Sequence, residues 1–360
     1  MDFVFTISLY CYSKKAALSP LLVSLLLLPS LGFAADPSMT TNGLASKYPG
    51  DVGIGNHRAV IFVENFEEGS IEQLKSRWET VTHPEDFSFS TDIPSFSSGS
   101  HSLLMTHAAG KGTGPQLYRR LSSPETSKTE KNKDQTVFAR FYVKFDPDCG
   151  PLHHFGASIG GNHPNTPWPL GGAGERPGGD KRFIVDIEPF GTKWTWDYYT
   201  YWCEMRGSPP RGQTWGNCFI NDPKLKVARG EWTCLEVMVK LNEVGKSNGE
   251  LALWINGNQV SHLGPGFPKG KWTYDKFIPG GDGDAIRWSD AAAGPEHFTV
   301  AKGGEPFEGF RWRTIEDLTV NFLWVYVYIT DAPAGHVSRI WFDEIVVATE
   351  YIGPQVRAAK

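Results

Sequence analysis

The sequence predicts an all-β chain folded as a two-sheet antiparallel β-sandwich with long loops. Three observations predict it. Gly (39) and Pro (25) are abundant, so turns and loops interrupt the 360-residue chain often. Apolar residues alternate with polar ones over many short stretches, the period of a strand with one buried face. Helical spacing is confined to one short stretch. No repeat or interior linker divides the chain, and strands with one apolar face must cover that face with a second sheet.

Residues 1–35 read as a secretory signal peptide. Lys14 and Lys15 end a basic region, 16–31 is largely apolar, and the small residues Gly32, Ala34 and Ala35 precede Asp36. The apolar run is short for a membrane span and is broken by Pro20, Ser24 and Pro29. The expectation is a secreted, extracellular monomer with no membrane contact after cleavage; the alternative is an uncleaved anchor. Cleavage removes one acid (Asp2) and two bases (Lys14, Lys15), taking the formal charge from −5 to −6. Such a chain has no general attraction for nucleic acid, and an anionic polysaccharide would need a local basic patch. Export also removes Cys11. Cys149, Cys203, Cys218 and Cys234 remain, an even number that predicts disulfides in an oxidising compartment. Cys203 with Cys218, closing a Gly/Pro-rich loop, is the preferred pair.

Residues 36–58 read as a flexible leader, 59–354 as one domain and 355–360 as a tail. VIFVENF (60–66) is a strand. SIEQLKSRW (70–78) is a short helix with Ser70 as N-cap and Gln73 at the capping-box position. HSLLMTH (101–107) is a strand, and 122–133 a charged loop. In 137–145, Val137, Ala139, Phe141, Val143 and Phe145 face one way, and Phe138, Arg140, Tyr142 and Lys144 the other. In 182–188, Phe183, Val185 and Ile187 alternate with Arg182, Ile184, Asp186 and Glu188. Residues 194–204 form its hairpin partner, with Trp194, Trp196, Tyr198, Thr200 and Trp202 on one face and Asp197, Tyr199, Tyr201 and Cys203 on the other. Strands follow at 233–241, 250–256, 318–329 and 339–352. Residues 279–305 read as an inserted loop.

Chemistry concentrates in 149–206. His153 and His154 precede a Gly/Pro/Asn-rich loop, and Arg182, Asp186 and Glu188 sit beside a run of Trp and Tyr. Aromatic rings stack on the apolar faces of pyranoses while polar groups fix hydroxyls and carboxylates, so the mixture suits a sugar site. Trp194 and Trp196 are candidate stacking platforms, and Asn162, Lys181, Asp186 and Glu188 candidate polar contacts.

Five segments, VENFEEGSIEQLKSRW (63–78), GSHSLLMTH (99–107), WTCLEVMVKLN (232–242), ELALWINGNQV (250–260) and IWFDEIVVATEYIG (340–353), resemble the concanavalin A-like jelly rolls. That group includes alginate- and glucuronan-type polysaccharide lyases, fungal lyase-like secreted proteins and carbohydrate-binding modules. The resemblance implies that first and last strands lie side by side. It also implies a structural Ca2+ on the convex side, with Glu64 or Glu67 and Asp343 among its ligands and no catalytic cofactor. For activity it implies cleavage of a uronate-containing polysaccharide by β-elimination. Arg182 would neutralise the C6 carboxylate, aided by Asn162 and Lys181. His153 or His154 would be the base, and Tyr199 or Tyr201 would protonate the leaving oxygen. LHHFG (152–156) and DYYTYW (197–202) only approximate the Gln-x-His and Tyr-x-Lys pattern of the best-known alginate lyases. Two other functions fit the same scaffold. One is a non-catalytic carbohydrate-binding domain. The other is a glycoside hydrolase using Asp186 and Glu188, although the Glu-x-Asp-x-x-Glu arrangement of related glucanases is absent.

Overall fold

The computed structural model describes residues 43–121, 135–288, 298–330 and 332–357, except the side chains of 153 and 328–330. The signal-peptide segment and the 122–133 loop lie outside the described residues. The strands in chain order are β1 (Val60–Glu64), β2 (Thr80–Thr82), β3 (Phe87–Ser90), β4 (Ser102–Ala108), β5 (Gln116–Arg120), β6 (Thr136–Phe145), β7 (Leu152–Asn162), β8 (Arg182–Pro189), β9 (Trp196–Tyr201) and β10 (Thr233–Lys240). They continue with β11 (Glu250–Ile255), β12 (Asn258–Leu263), β13 (Lys269–Thr273), β14 (Lys276–Pro279), β15 (Asp284–Trp288), β16 (Phe298–Lys302), β17 (Glu305–Pro306), β18 (Phe322–Thr330) and β19 (Val337–Ala348).

The result is an all-β sandwich of antiparallel sheets. One sheet runs β12-β11-β10-β6-β19-β4-β3, with β1 added beside β19; the other runs β2-β5-β18-β7-β8-β9. First and last strands do pair, with Glu64 opposite Ile345. The alternation in 137–145 explains the core: Phe141, Val143 and Phe145 point inward and are buried. Phe155 of β7 stacks on Phe342 of β19 at 5.4 Å, joining the two sheets. Removing an aromatic side chain of this size from water stabilises a fold by about 1.5–3 kcal/mol.

Several expectations need correction. The supposed leader is packed from Gly43 onward: Leu44, Ala45 and Ile54 are buried against Val346, Ala348 and Ile352 on the outer face of the larger sheet. Apolar side chains within the segment override its loop-like composition. The expected tail is likewise docked, since Gln355 is buried and its N–H donates to the Tyr142 hydroxyl at 2.8 Å. The helix shrinks to Ile71–Leu74, and Ser70 makes no capping bond. The supposed insert is largely sheet, because β13–β17 form a small sheet of their own, with 289–297 outside the described residues. The predicted disulfide is absent: all four described cysteines are free thiols. The Cys203 thiol donates to Arg311 O at 2.7 Å, whereas Cys218 is buried beside β14 with its N–H on Asp275 O. Burial pushes the Cys203 thiol up to about 11. The stacking-platform reading also fails. Trp196 is 1 % exposed and packs in the core, while Trp194 is wedged between Phe145, at 5.4 Å, and the Arg229 guanidinium, at 4.9 Å.

Candidate active site

The open face of the six-stranded sheet gathers the polar residues of three neighbouring strands. Pairing of β8 with β9 puts Asp186 opposite Tyr199 and Ile184 opposite Tyr201, and pairing of β7 with β8 puts Asn162 opposite Arg182. Side chains of a strand alternate between faces, so His154, Arg182, Asp186, Glu188, Tyr199 and Tyr201 share one surface. They form a continuous row. His154 Nδ1 lies 3.1 Å from Glu188 Oε1. The His154 ring lies 5.0 Å from the Tyr199 ring. The Tyr199 and Tyr201 hydroxyls are 3.4 Å apart, and the Arg182 guanidinium stands 5.5 Å from the Tyr201 ring.

The row is sheltered, and its charges respond. Burial pushes the His154 imidazole down to about 4, so it is neutral at physiological pH. Burial also raises both Asp186 and Glu188 well above the carboxylate range, and for Asp186 the Glu188 charge adds to it. Two adjacent buried carboxyls cannot both ionise cheaply. The Phe155 N–H favours charge on Glu188 and the Tyr326 hydroxyl favours it on Asp186, while burial holds both carboxyls toward their protonated forms. Glu188 and the imidazole share one hydrogen bond at His154 Nδ1, whose direction follows the tautomer. Burial raises the Tyr199 hydroxyl far above its ordinary value, so it stays protonated and able to donate.

Two loops roof the row. Arg182 Nη2 donates to Gly172 O at 2.7 Å and Glu175 O at 2.8 Å. Gly172 is required there, because a Cβ would collide with the guanidinium at φ +146°. Gly174 bridges to Thr214, whose hydroxyl donates to Gly174 O. A Cβ on Gly216 would lie 2.6 Å from the Tyr199 ring.

The other candidates fall elsewhere. The His153 side chain lies outside the described residues. Lys181 is exposed at the start of β8, outside the row. Asn162 is buried and bound to Asn321 and Tyr118. Sequence reasoning missed Tyr326, Ser158 and Trp324. Tyr326, Asp186 and Ser158 crowd around Gly156, where a Cβ would lie 2.8, 2.9 and 3.1 Å from them. Trp324 stacks on Tyr326 at 4.2 Å. Their signal was the alternation of Phe322, Trp324 and Tyr326 with Leu323, Val325 and Val327.

The expected metal ligands divide. Glu64 does not fit: Oε1 accepts from Phe66 N–H, and Oε2 from Arg77 Nε and Trp78 Nε1, both at 2.9 Å. Asp343 does fit. Its Oδ2 is buried without a hydrogen-bond partner among the described residues, and burial with Glu344 and Glu67 nearby pushes the carboxyl up to about 9. Glu67 Oε1 receives Ser100 N–H and His101 N–H at 2.6 and 2.7 Å, and its Oε2 lies 3.5 Å from His101 Nδ1. Among the described residues, the one trio of His, Cys or acid groups whose ligand atoms already converge is His83, Glu85 and Asp86, and Asp86 there holds Lys111 at 3.0 Å.

No protein-family model matches the sequence, and no curated protein matches it. Solved structures similar to the chain include a marine alginate lyase from Aplysia kurodai, with 13 % identity, a TM-score of 0.48, and coverage of 80 % of this chain and 98 % of that one. An alginate lyase from Chlorella virus gives 12 % identity and a TM-score of 0.48, covering 80 % of this chain and 99 % of that one. An endo-β-1,4-glucuronan lyase from the fungus Trichoderma reesei gives 14 % identity and a TM-score of 0.42, covering 80 % and 95 %.

Proposed function

We propose that the chain is an exported polysaccharide lyase that cleaves a uronate-containing polymer by β-elimination. The observation that carries this reading is the unbroken row from His154 through Tyr199 and Tyr201 to Arg182. Arg182 spends only Nη2 on the loop carbonyls, so its Nε–H and Nη1 donors remain for single contacts to a sugar carboxylate. Holding the C6 carboxylate there stabilises the negative charge that builds as C5 loses its proton. Neutral His154 takes that proton on its ring nitrogen. The C5–H electron pair becomes the C4–C5 double bond, the C4–O4 bond breaks, and the Tyr199 hydroxyl protonates the departing O4. Burial that favours the protonated forms of Asp186 and Glu188 keeps negative charge away from the anionic substrate. The roof formed by Gly174 and Thr214 must part for the polymer to enter.

A structural Ca2+ belongs to the same reading, with Asp343 as its acidic ligand and Glu67 joining if its Oε2 exchanges the long 3.5 Å contact to His101 for the ion; a divalent cation would neutralise the charge that burial otherwise disfavours. Its place is remote from the row, so it takes no part in the elimination. The hydrolase alternative draws on the Asp186/Glu188 pair, but adjacent acids on one strand leave no cleft between them for a glycosidic bond. Incubation with alginate, glucuronan and related polyuronates should raise ultraviolet absorbance from the new double bond. A flat trace across the panel removes the lyase reading, and shortened chains without unsaturation would favour the hydrolase.

A further inference from the structure

We infer that the six-stranded sheet carries a second sugar-binding place, chemically opposite to the Arg182 end of the row, that takes a neutral pyranose. For the polymer it implies, the inference rests on the lyase reading; for the binding itself it does not. At the ends of β5 and β7 and the start of β18, a cavity of ≈ 480 Å³ opens, lined by Glu79, Arg120, Asn162, His163, Asp317 and Asn321 among others. Small-ligand pockets span roughly 300–1,000 Å³.

The floor of this cavity is fixed in advance. Asn162 N–H donates to Asn321 Oδ1 at 2.9 Å, Asn321 Nδ2 donates to Asn162 O at 2.8 Å, and Asn162 Nδ2 donates to the Tyr118 hydroxyl at 2.9 Å. Asn162 and Asn321 are both buried, so their amides are held in one orientation and Asn162 Oδ1 remains as an acceptor. The walls offer more polar groups than the protein uses. The side chains of His163, Asn165, Asp317 and Thr319 line the cavity, and none has a hydrogen-bond partner among the described residues. Donors and acceptors mixed in this way match the vicinal hydroxyls of a sugar. Three residues after Asn165 of the cavity wall comes Trp168, 56 % exposed, on a loop tied to β2 by the Thr80 hydroxyl, which donates to Pro167 O at 2.8 Å. An exposed indole held by its backbone offers a flat apolar surface to a pyranose ring.

Charge decides which sugar. Arg120 is neutralised by Glu79, which accepts from its Nε at 3.4 Å and its N–H at 3.0 Å. Glu79 is shared with Arg119 at 3.8 Å, and Asp317, which has no ionic partner among the described residues, is the acid the wall presents; a uronate carboxylate placed against it is disfavoured. Arg182, the strand neighbour of Asn162, favours one. A polymer chain crossing from Arg182 to the cavity would therefore place a uronate and then an uncharged sugar. The substrate class is a heteropolysaccharide mixing the two.

Calorimetric titration of the full-length protein with β-1,4-linked glucose, mannose and galactose tetramers tests this directly. At least one neutral tetramer should bind. Asp317→Ala and Trp168→Ala, both exposed positions that leave the core intact, should each weaken it about tenfold, and Arg182→Ala should leave it unchanged. No neutral binding at millimolar concentration overturns the inference. So does wild-type affinity in both cavity variants, or a loss in Arg182→Ala as large as theirs. Failure of the lyase reading is seen separately, as neutral binding without unsaturated product on polyuronates.

Discussion

The outer face of the eight-stranded sheet and the open face of the six-stranded sheet both bury acids, but they compensate them differently. On the outer face Arg140 is fully buried and pairs with Asp51, and its Nη2 also donates to Glu344 O at 3.0 Å. Glu236 there accepts from Ile352 and Gly353 N–H, both at 2.7 Å. The chain's own terminal segments seal that surface. On the open face no Lys or Arg pairs with Asp186 or Glu188 among the described residues. Asp186 Oδ1 has no partner among the described residues, and Glu188 is met by an imidazole. The outer face meets most of its buried charges with partners from the chain's own ends, whereas the open face holds an acid pair beside an imidazole, and that difference makes the open face the candidate for chemistry.

The largest way to break this comparison is to strip the open face of its cation. Arg182→Ala should lower kcat on a polyuronate by about 10²–10³-fold, the usual cost of losing a group that stabilises transition-state charge. Circular dichroism should stay unchanged. Near-wild-type turnover would move the open face into the structural class.

The second test concerns Asp343, the acid of the outer face that lacks compensation. Its folded pKa, raised to about 9, exceeds its unfolded value. The stability it contributes is therefore complete below the unfolded value and is lost as pH rises through 9. Glu236, raised to about 7, adds the same trend at lower pH. With chelator present, wild-type Tm should fall between pH 5 and 9 and Asp343→Asn should fall less. Adding Ca2+ should restore the wild type by about 5 °C and leave Asp343→Asn unmoved. Parallel curves for the two proteins, with no Ca2+ response, would remove the metal.

The two faces were not equally legible in the sequence. The alternation in 137–145 and 182–188 disclosed the sandwich and put Arg182, Asp186 and Glu188 on one surface, because a period of two is a local property. Tyr199 and Tyr201 were assigned to that surface for the same reason. Trp194 and Trp196 misled, because aromatic identity does not say whether a ring faces solvent or the opposing sheet. Tyr326 and Ser158 escaped because cross-strand register brings them to Asp186 from distant parts of the chain. The leader was misread for a similar reason: Leu44 and Ile54 are buried only because the end of β19 and the chain after it present Val346 and Ile352 to them. The cysteine count said nothing of distance, and each thiol met a different neighbour.

A smaller effect sharpens the description of the open face by its pH dependence. An exposed histidine base would lose activity below its ordinary value near 6.5. Burial pushes His154 down to about 4, so kcat/KM should hold at pH 5 and fall only below it. Glu188→Gln keeps the shape but replaces the carboxyl bonded to His154 Nδ1, and should cost roughly 10–100-fold in kcat with the acid limb no higher than before. An acid limb near 6.5 in the wild type would mean that the base is solvated and that His154 is not it.

The smallest effect belongs to the roof. The Thr214 hydroxyl and the Gly174 carbonyl hold the two loops together above Tyr199 and Arg182. Thr214→Val removes that hydrogen bond with little change of volume, at a cost of about 1 kcal/mol to the closed arrangement. If polymer entry needs the loops to part, the variant should bind long substrates two- to fivefold faster at roughly constant chemistry, read as a higher kcat/KM with kcat preserved. If the roof instead positions Arg182 through Gly172 and Glu175, the same substitution should lower kcat and leave KM in place. The direction of that split decides whether the loops act as a gate over the row or as part of its frame.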